Sequence, residues 1–209
     1  IIHGYEEFGD AIVPKLQGMF AFGLWDLRKK RMLLARDRVG KKPLVYYFNP
    51  QKKIFLFASE LKALLEYPDV PRQIRKQSLQ EYLAYGYVPA PATIFEHIFK
   101  ILPGHVLTID LTGKIETKQY WDLTFNIVQQ PASYYEAHIL QALEDATRCR
   151  LMSDVPLGAF LSGGIDSSSI VAMMAKLRRG TGEEVKTFTV GFEESAFDET
   201  KYARIVADK

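Results

Sequence analysis

Cysteine is almost absent from this 209-residue chain, with Cys149 standing alone, which excludes an intramolecular disulfide framework and any zinc site built from several thiolates. A reducing compartment follows. No apolar run approaches the ~20 residues that a membrane-spanning helix needs. Nor does a basic segment followed by an apolar core and a small-residue cleavage site open the chain, so a cytoplasmic protein is expected. Charge of one sign is also lacking: 27 Lys and Arg stand against 25 Asp and Glu, too even a balance for a nucleic-acid footprint. The densest basic run, Arg28 to Arg31, lies between two apolar segments and reads as a solvated hairpin turn. His3, His97, His105 and His138 are scattered and show no metal-ligand spacing. Internal repeats and low-complexity tracts are missing. What is there, 47% hydrophobic and 25% charged residues, suffices for one buried core or two small ones.

The first third reads as strands. Residues 19–26, 31–36, 43–48 and 53–58 are short aromatic or aliphatic runs between polar, Gly, Pro or Asn turns, and at that spacing they predict one four-stranded antiparallel sheet. A helix is expected from Ser59, capped by its hydroxyl, with Leu61, Leu64 and Leu65 on one face and Pro68 at its end. A second helical pattern starts at Ser78 with Leu79, Tyr82 and Leu83, and the prolines at 89 and 91 make the following stretch a loop. Gly104 to Ile109 and a return to Tyr120-Trp121 flank a Thr112-Gly113 turn and predict a hairpin. Residues 122–133 lose periodicity and read as a linker.

Beyond the linker the pattern changes from antiparallel strands to helices alternating with apolar strands. Tyr135, Ile139, Leu143, Ala146 and Cys149 fall at helical spacing, which predicts an amphipathic helix over 134–151 that buries the lone cysteine. Leu157 to Leu161 is an unbroken apolar run, the mark of a buried strand. A helix on Ile170, Met173, Met174 and Leu177 follows, stopped by Gly180, and a second apolar strand covers 185–192. Strand, helix, strand makes a parallel βαβ unit.

The turn inside that unit carries the chemistry: Ser162-Gly163-Gly164-Ile165-Asp166-Ser167-Ser168. Glycines let a backbone turn tightly and approach a ligand, and the free amides of a helix N-terminus favour an anion. The hydroxyls of Ser162, Ser167 and Ser168 add donors. Asp166 would repel a bare phosphate, so its presence implies a divalent cation, Mg2+, between the two. The lysine of a Walker A loop is missing, and Gly-x-Gly-x-x-Gly is absent too. The alternative is a tight strand-to-helix turn with Asp166 or a serine as helix cap.

The seven residues SGGIDSS resemble the pyrophosphate loop of the N-type ATP pyrophosphatases. HGYEEFG, GMFAFGLWD, LLARDRVGKKPL and FASELKALL resemble class II glutamine amidotransferase domains. GYVPAPATIFEHIFKILPGHVL resembles the segment leading to a synthetase domain, and DVPLGAFLSGGIDSS with FTVGFEESAFDETKYA resembles the start of that domain. In this order they resemble the glutamine-hydrolysing asparagine synthetase family along essentially the whole chain. The implied fold is α+β followed by α/β: a partial Ntn-type glutaminase sandwich over 1–122, a linker at 123–133 and, over 134–209, the start of a parallel-sheet ATP pyrophosphatase domain.

The resemblance implies an enzyme that hydrolyses glutamine, adenylates a carboxylate such as aspartate with ATP, releases pyrophosphate and lets ammonia displace AMP. It implies ATP contacts at Ser162, Gly163, Gly164, Asp166, Ser167 and Ser168, with Asp166 also on the metal. Leu161 and Val190 match positions that line an adenine and ribose pocket, or are plain core aliphatics. Asp198 and Glu199 match a Phe-Asp-Glu element, or Ser195 to Asp198 simply open the following helix. Arg36, Asp37 and Arg38 match a glutaminase motif and read as a structural ion pair. Relatives on the same scaffold amidate other carboxylates or close β-lactam rings, and an inactive nucleotide-binding relic is a further alternative. Implied partners are glutamine, aspartate and ATP, with neither nucleic acid nor membrane, and a homodimer for the whole protein.

Class II glutaminases use an N-terminal cysteine as nucleophile. Ile1 cannot serve, and Cys149 lacks the free amine, so no catalytic residue is expected within 1–209. A start at Ile1 and an end at Lys209 inside a helical pattern lead us to expect both ends to be cut, with unpaired sheet edges that favour association.

Overall fold

Antiparallel strands form where the apolar alternation places them, and the turns between them are closed by short acidic side chains. The computed structural model describes all 209 residues, in two units, Ile1–Phe125 and Asn126–Lys209. In the first unit β1 (Ala21–Asp26) pairs with β2 (Arg31–Arg36). The Asp26 carboxylate accepts the amides of Arg28 and Lys29 at 2.9 and 2.8 Å, so the basic run forms the expected turn, with Arg31 opening β2.

The expected single sheet is corrected. β3 (Val45–Asn49) and β4 (Ile54–Ala58) pair with each other and with β5 (Ile98–Lys100) in order β4-β3-β5. The other edge of β2 is taken by β6 (His105–Asp110), followed by β7 (Ile115–Gln119), in order β1-β2-β6-β7. The chain leaves one sheet for the other at Asp37, whose buried carboxylate accepts the amides of Lys41 and Lys42, both at 2.9 Å. Period-two patterning tells which segments are strands and not which strands are neighbours.

The two sheets pack face to face through Leu34 and Leu107 on one side and Leu44 and Ile101 on the other, with Tyr46 and Phe55 at the margin. The outer face of the first sheet, Leu33, Ala35 and Val106, is covered by α1 (Ile2–Phe8) and a 3-10 turn carrying Ile12 and Val13. The outer face of the second, Val45, Tyr47 and Ile98, is covered by Leu64 of α2 (Leu61–Leu65) and by Val70. β2 is therefore buried on both faces, and three consecutive residues, Leu33 to Ala35, are inaccessible to solvent.

The Arg36-Asp37-Arg38 motif is structural but not an ion pair. Arg36 donates to the carbonyls of Lys42, Ile101 and Gly40 at 2.8, 2.6 and 2.9 Å, and Arg38 donates to the carbonyl of Pro14. At a buried sheet junction backbone carbonyls and amides are the nearest groups needing partners, and they take the charges. Tyr120 donates to the Arg36 carbonyl at 2.7 Å. Burial, then the Asp37 charge, push its phenol up to about 12 against the pull of Arg38. Tyr120→Phe is expected to lose about 1 kcal/mol of stability at neutral pH. Because the folded phenol ionises later than the unfolded one, that stability is present below pH ~10 and fades as pH rises toward 12. Chemical unfolding of both proteins at pH 8 and 11.5 measures the gap; an equal gap at both would refute the assignment.

Two helix expectations change. No side chain caps α2, which starts at Leu61 with Glu60 as the extended residue before it, so Ser59 is one position too early to cap. α3 (Lys76–Tyr85) begins before Ser78, which is buried, while Leu79, Tyr82 and Leu83 are exposed.

In the second unit α4 (Ala132–Arg148) packs on α5 (Ile165–Arg178). Glu144 of α4 accepts Lys176 of α5 and Arg148, each at 2.6 Å. The expected buried stripe of α4 is corrected: Tyr135, Ile139, Ala146 and Cys149 are exposed, and Thr147 is the buried position. The face toward α5 runs through Leu143, Glu144 and Thr147, because a hydroxyl satisfied by its own helix, Thr147 to the Leu143 carbonyl at 2.8 Å, buries as readily as an apolar group.

β8 (Gly158–Phe160) and β9 (Lys186–Phe188) pair in parallel around α5, as expected of a βαβ unit. The expectation of a buried strand is corrected, since Phe160 is 81% exposed. The buried residues of this core are Leu161, Val171 of α5 and Ala203 of α6 (Thr200–Ala207), with Ala159 and Val185 beside them. A two-stranded sheet covered on one face buries only the residues pointing to that face. No helix is long and apolar enough to cross a membrane.

Candidate functional site

The loop at Ser162–Ser168 is built by the end of β8 and the start of α5. Leu161 fixes its entry: its amide donates to the Phe188 carbonyl at 2.9 Å, and its carbonyl accepts Thr189 Oγ1 at 2.7 Å. Ser162 and Ser167 then close the loop on itself. Their hydroxyls lie 3.0 Å apart, the Ser162 amide donates to Ser167 Oγ at 3.2 Å, and the Gly164 amide donates to Ser162 Oγ at 3.3 Å. α5 begins where the Ser168 amide donates to the Gly164 carbonyl. The amides before it, those of Ile165, Asp166 and Ser167, lie at the helix end whose N–H groups have no partner within the helix and carry its positive partial charge.

The two glycines differ. Gly163 has φ +82, and a Cβ there would lie 2.5 Å from the backbone carbon of Tyr202. Gly164 has φ −72, which any residue adopts, and a Cβ there would meet nothing closer than Ser162 Oγ at 3.4 Å. Gly163 is thus demanded by its own conformation and by α6.

Of the sequence-predicted residues, Ser162, Gly163, Gly164, Asp166, Ser167 and Ser168 come together at this one helix terminus. Asp166 is exposed in the first turn of α5. Ser168 Oγ is buried without a hydrogen-bond partner. Leu161 is 2% exposed in the core of the unit, whereas Val190, just after β9, is 62% exposed. Asp198 accepts Thr200 Oγ1 at 2.7 Å and the Thr200 amide at 3.3 Å at the start of α6. No cluster of three or more His, Cys, Asp or Glu side chains is assembled to hold a metal. Sequence reasoning missed Thr189, which braces the loop through Leu161, and the contact of α6 with Gly163; a threonine after an apolar strand carries no signal of either.

A concavity of about 740 Å³ lies in the first unit against α1 and β1, lined by Ile2, Tyr5, Leu24, Trp25 and Asp26 among others. Tyr5 donates to Asp26 there at 2.7 Å. None of the predicted site residues lines it.

Fold and loop together define a chain in which a two-sheet antiparallel unit precedes a parallel strand-helix-strand unit whose helix opens at a loop of serines and glycines. Residues 1–121 match the family model for the glutamine amidotransferase domain, and residues 138–209 match that for asparagine synthase. The chain belongs to the glutamine amidotransferase family, and its second unit is similar to asparagine synthase. Among its relatives, asparagine synthetase 1 (glutamine-hydrolyzing) of Bacillus subtilis strain 168 is 37% identical over 204 residues, 97% of this chain and 31% of the relative. The third such synthetase of that strain is 34% identical over 197 residues, 93% of this chain and 32% of the relative. A protein named Amidase chyE, of Penicillium rubens, is 37% identical over 227 residues, 100% of this chain and 32% of the relative. The chain spans about a third of the length of the curated relatives it matches.

Proposed function

We propose that this chain is part of a cytoplasmic ligase that makes asparagine from aspartate, ATP and ammonia drawn from glutamine. Residues 1–122 form the later part of an Ntn-type glutaminase sandwich, 123–133 link it onward, and 134–209 begin an ATP pyrophosphatase domain. The observation that carries the reading is the meeting of Ser162, Gly163, Gly164, Asp166, Ser167 and Ser168 at the N-terminus of α5, whose first amides have no partner within the helix.

Ser162, Gly163, Gly164, Ser167 and Ser168 hold the pyrophosphate portion of ATP, with Leu161 and Val190 toward the adenine and ribose. Asp166, exposed at the same terminus, fits Mg2+, an ion commonly bound by one or two carboxylates together with phosphate oxygens and waters. Mg2+ neutralises charge on the phosphates. In the reaction a carboxylate oxygen bonds to the α-phosphorus while its bond to the pyrophosphate oxygen breaks. Ammonia then forms the C–N bond, AMP leaves with the former carboxylate oxygen, and a proton is released. The loop serves the first step by offering fixed N–H and O–H donors where charge gathers on departing pyrophosphate. The whole protein acts as a homodimer.

Amidation of a different carboxylate is the second reading, favoured by the relative named an amidase at 37% identity. Calorimetry of ATP with Mg2+ tests the site. Asp166→Ala is expected to weaken binding about 10- to 100-fold, and only when Mg2+ is present. Unchanged affinity would remove Asp166 from the metal, and a wild-type protein that binds no ATP would remove the loop from ATP recognition. Assay of aspartate against other carboxylates, with glutamine and ATP, separates the two readings.

A further inference from the structure

Asp198 does more than begin a helix. Its carboxylate binds both the amide and the hydroxyl of Thr200, the first residue of α6. It also lies beside the chain leaving β9: Gly191 is positioned so that a Cβ would be 3.8 Å from Asp198 Oδ1, and the Phe192 amide supports the charged carboxylate. Asp198 and Thr200 therefore sit between the exit of the second parallel strand and the first turn of α6.

That turn is what backs the anion loop. The amides of Tyr202 and Ala203 donate to the Glu199 carbonyl at 3.0 and 3.1 Å, the first bonds of the helix. These same residues abut Gly163, where a Cβ would lie 2.5 Å from Tyr202 Cβ and 2.7 Å from the Ala203 nitrogen. Ala203 is buried against Leu161 and Val171, the residues that enter and follow the loop. The loop is thus clamped between its own helix and the backbone of α6. Fraying the first turn of α6 removes one wall of it.

We propose that Asp198 is a positioning residue for the Ser162–Ser168 loop: it holds α6 against Gly163 and touches neither phosphate nor metal. The proposal rests on the reading of that loop as a phosphate site. It assigns the Phe-Asp-Glu element a mechanical role, set by packing, in the affinity of a site to which it contributes no ligand.

The test uses Asp198→Ala, Asp198→Asn and Thr200→Val, with amide exchange over residues 161–168 and calorimetry of inorganic pyrophosphate with and without Mg2+. Loss of a helix-starting bond corresponds to about a fivefold effect. Asp198→Ala and Thr200→Val are expected to speed exchange in the loop and weaken pyrophosphate binding by that factor, to the same extent with and without Mg2+. Asp198→Asn, which still accepts the Thr200 amide, is expected to keep most of the affinity. Unaltered loop exchange in both Asp198→Ala and Thr200→Val would overturn the proposal. So would an Asp198→Asn defect confined to Mg2+-containing solutions, which would make Asp198 a metal ligand. A wild-type protein that binds no pyrophosphate, with loop exchange still responding to Asp198→Ala, would sink the phosphate reading and uphold the clamp.

Discussion

Gly163→Ala is expected to destabilise the second unit by about 3 kcal/mol. A left-handed backbone costs an alanine about 1–2 kcal/mol, and the φ of +82 lies well inside that region. The new methyl would also sit 2.5 Å from Tyr202 backbone, an atom that cannot rotate aside, and such overpacking costs about 1–3 kcal/mol. Both tryptophans, Trp25 and Trp121, lie in the first unit, so their fluorescence reports that unit alone. Amide exchange over α5 and α6 reports the second. We expect exchange there to rise about 100-fold with tryptophan unfolding unchanged. Gly163→Asn separates the two causes: asparagine tolerates positive φ but carries the same Cβ. An equal loss assigns the cost to the contact with α6, a much smaller one to the backbone angle. Wild-type exchange rates in the alanine variant would contradict both.

The second large effect is expected at Asp37, the residue that turns the chain from one sheet to the other. Asp37→Ala leaves the part-buried amides of Lys41 and Lys42 without their acceptor, at about 1–2 kcal/mol for each. We expect the first unit to lose about 3 kcal/mol, read as a shift in the urea midpoint of tryptophan fluorescence. Asp37→Asn keeps one acceptor oxygen and is expected to lose about half as much.

The pH dependence follows from the same bonds. Burial alone would push the Asp37 carboxyl up, but the amides of Lys42 and Lys41, with those of Phe20 and Val39, outweigh it and hold it below its ordinary value near 3.8. A depressed carboxyl contributes stability that is complete above the unfolded value and is lost as pH falls through the folded one. The difference between wild type and Asp37→Asn is therefore constant from pH 5 to 8 and shrinks below pH ~3.8. A difference that widens in acid would show that the amides do not stabilise the charged form.

Much of the fold was legible locally. The strands at 31–36, 54–58 and 105–110 and the helix after Ser162 sit within a residue or two of where alternation and turn residues put them. The two-residue period of a strand and the small-residue punctuation of a turn are properties of contiguous sequence. The loop of the candidate site was legible for the same reason: its seven residues are consecutive, so their meeting at one helix terminus needs no long-range information. β5 and α1 went unread because each is short and shows no clear period. The wrongly assigned burials share a cause. Cys149 and Phe160 belong to apolar patterns, but burial requires a covering element, and none covers them.

By itself the sequence determined where most of the strands run, that a single cysteine leaves no disulfide within these residues, and that a run of serines and glycines stands before α5. Only the tertiary structure decided that β2 takes β6 as its second neighbour, that Asp37 binds amides instead of an arginine, and that Gly163 faces α6. The first and the third join residues far apart in the chain, and the second is set by which groups the sheet junction leaves without partners. Such partners are chosen by the packing of whole faces and the satisfaction of buried hydrogen-bonding groups, quantities that exist only once the layers are assembled.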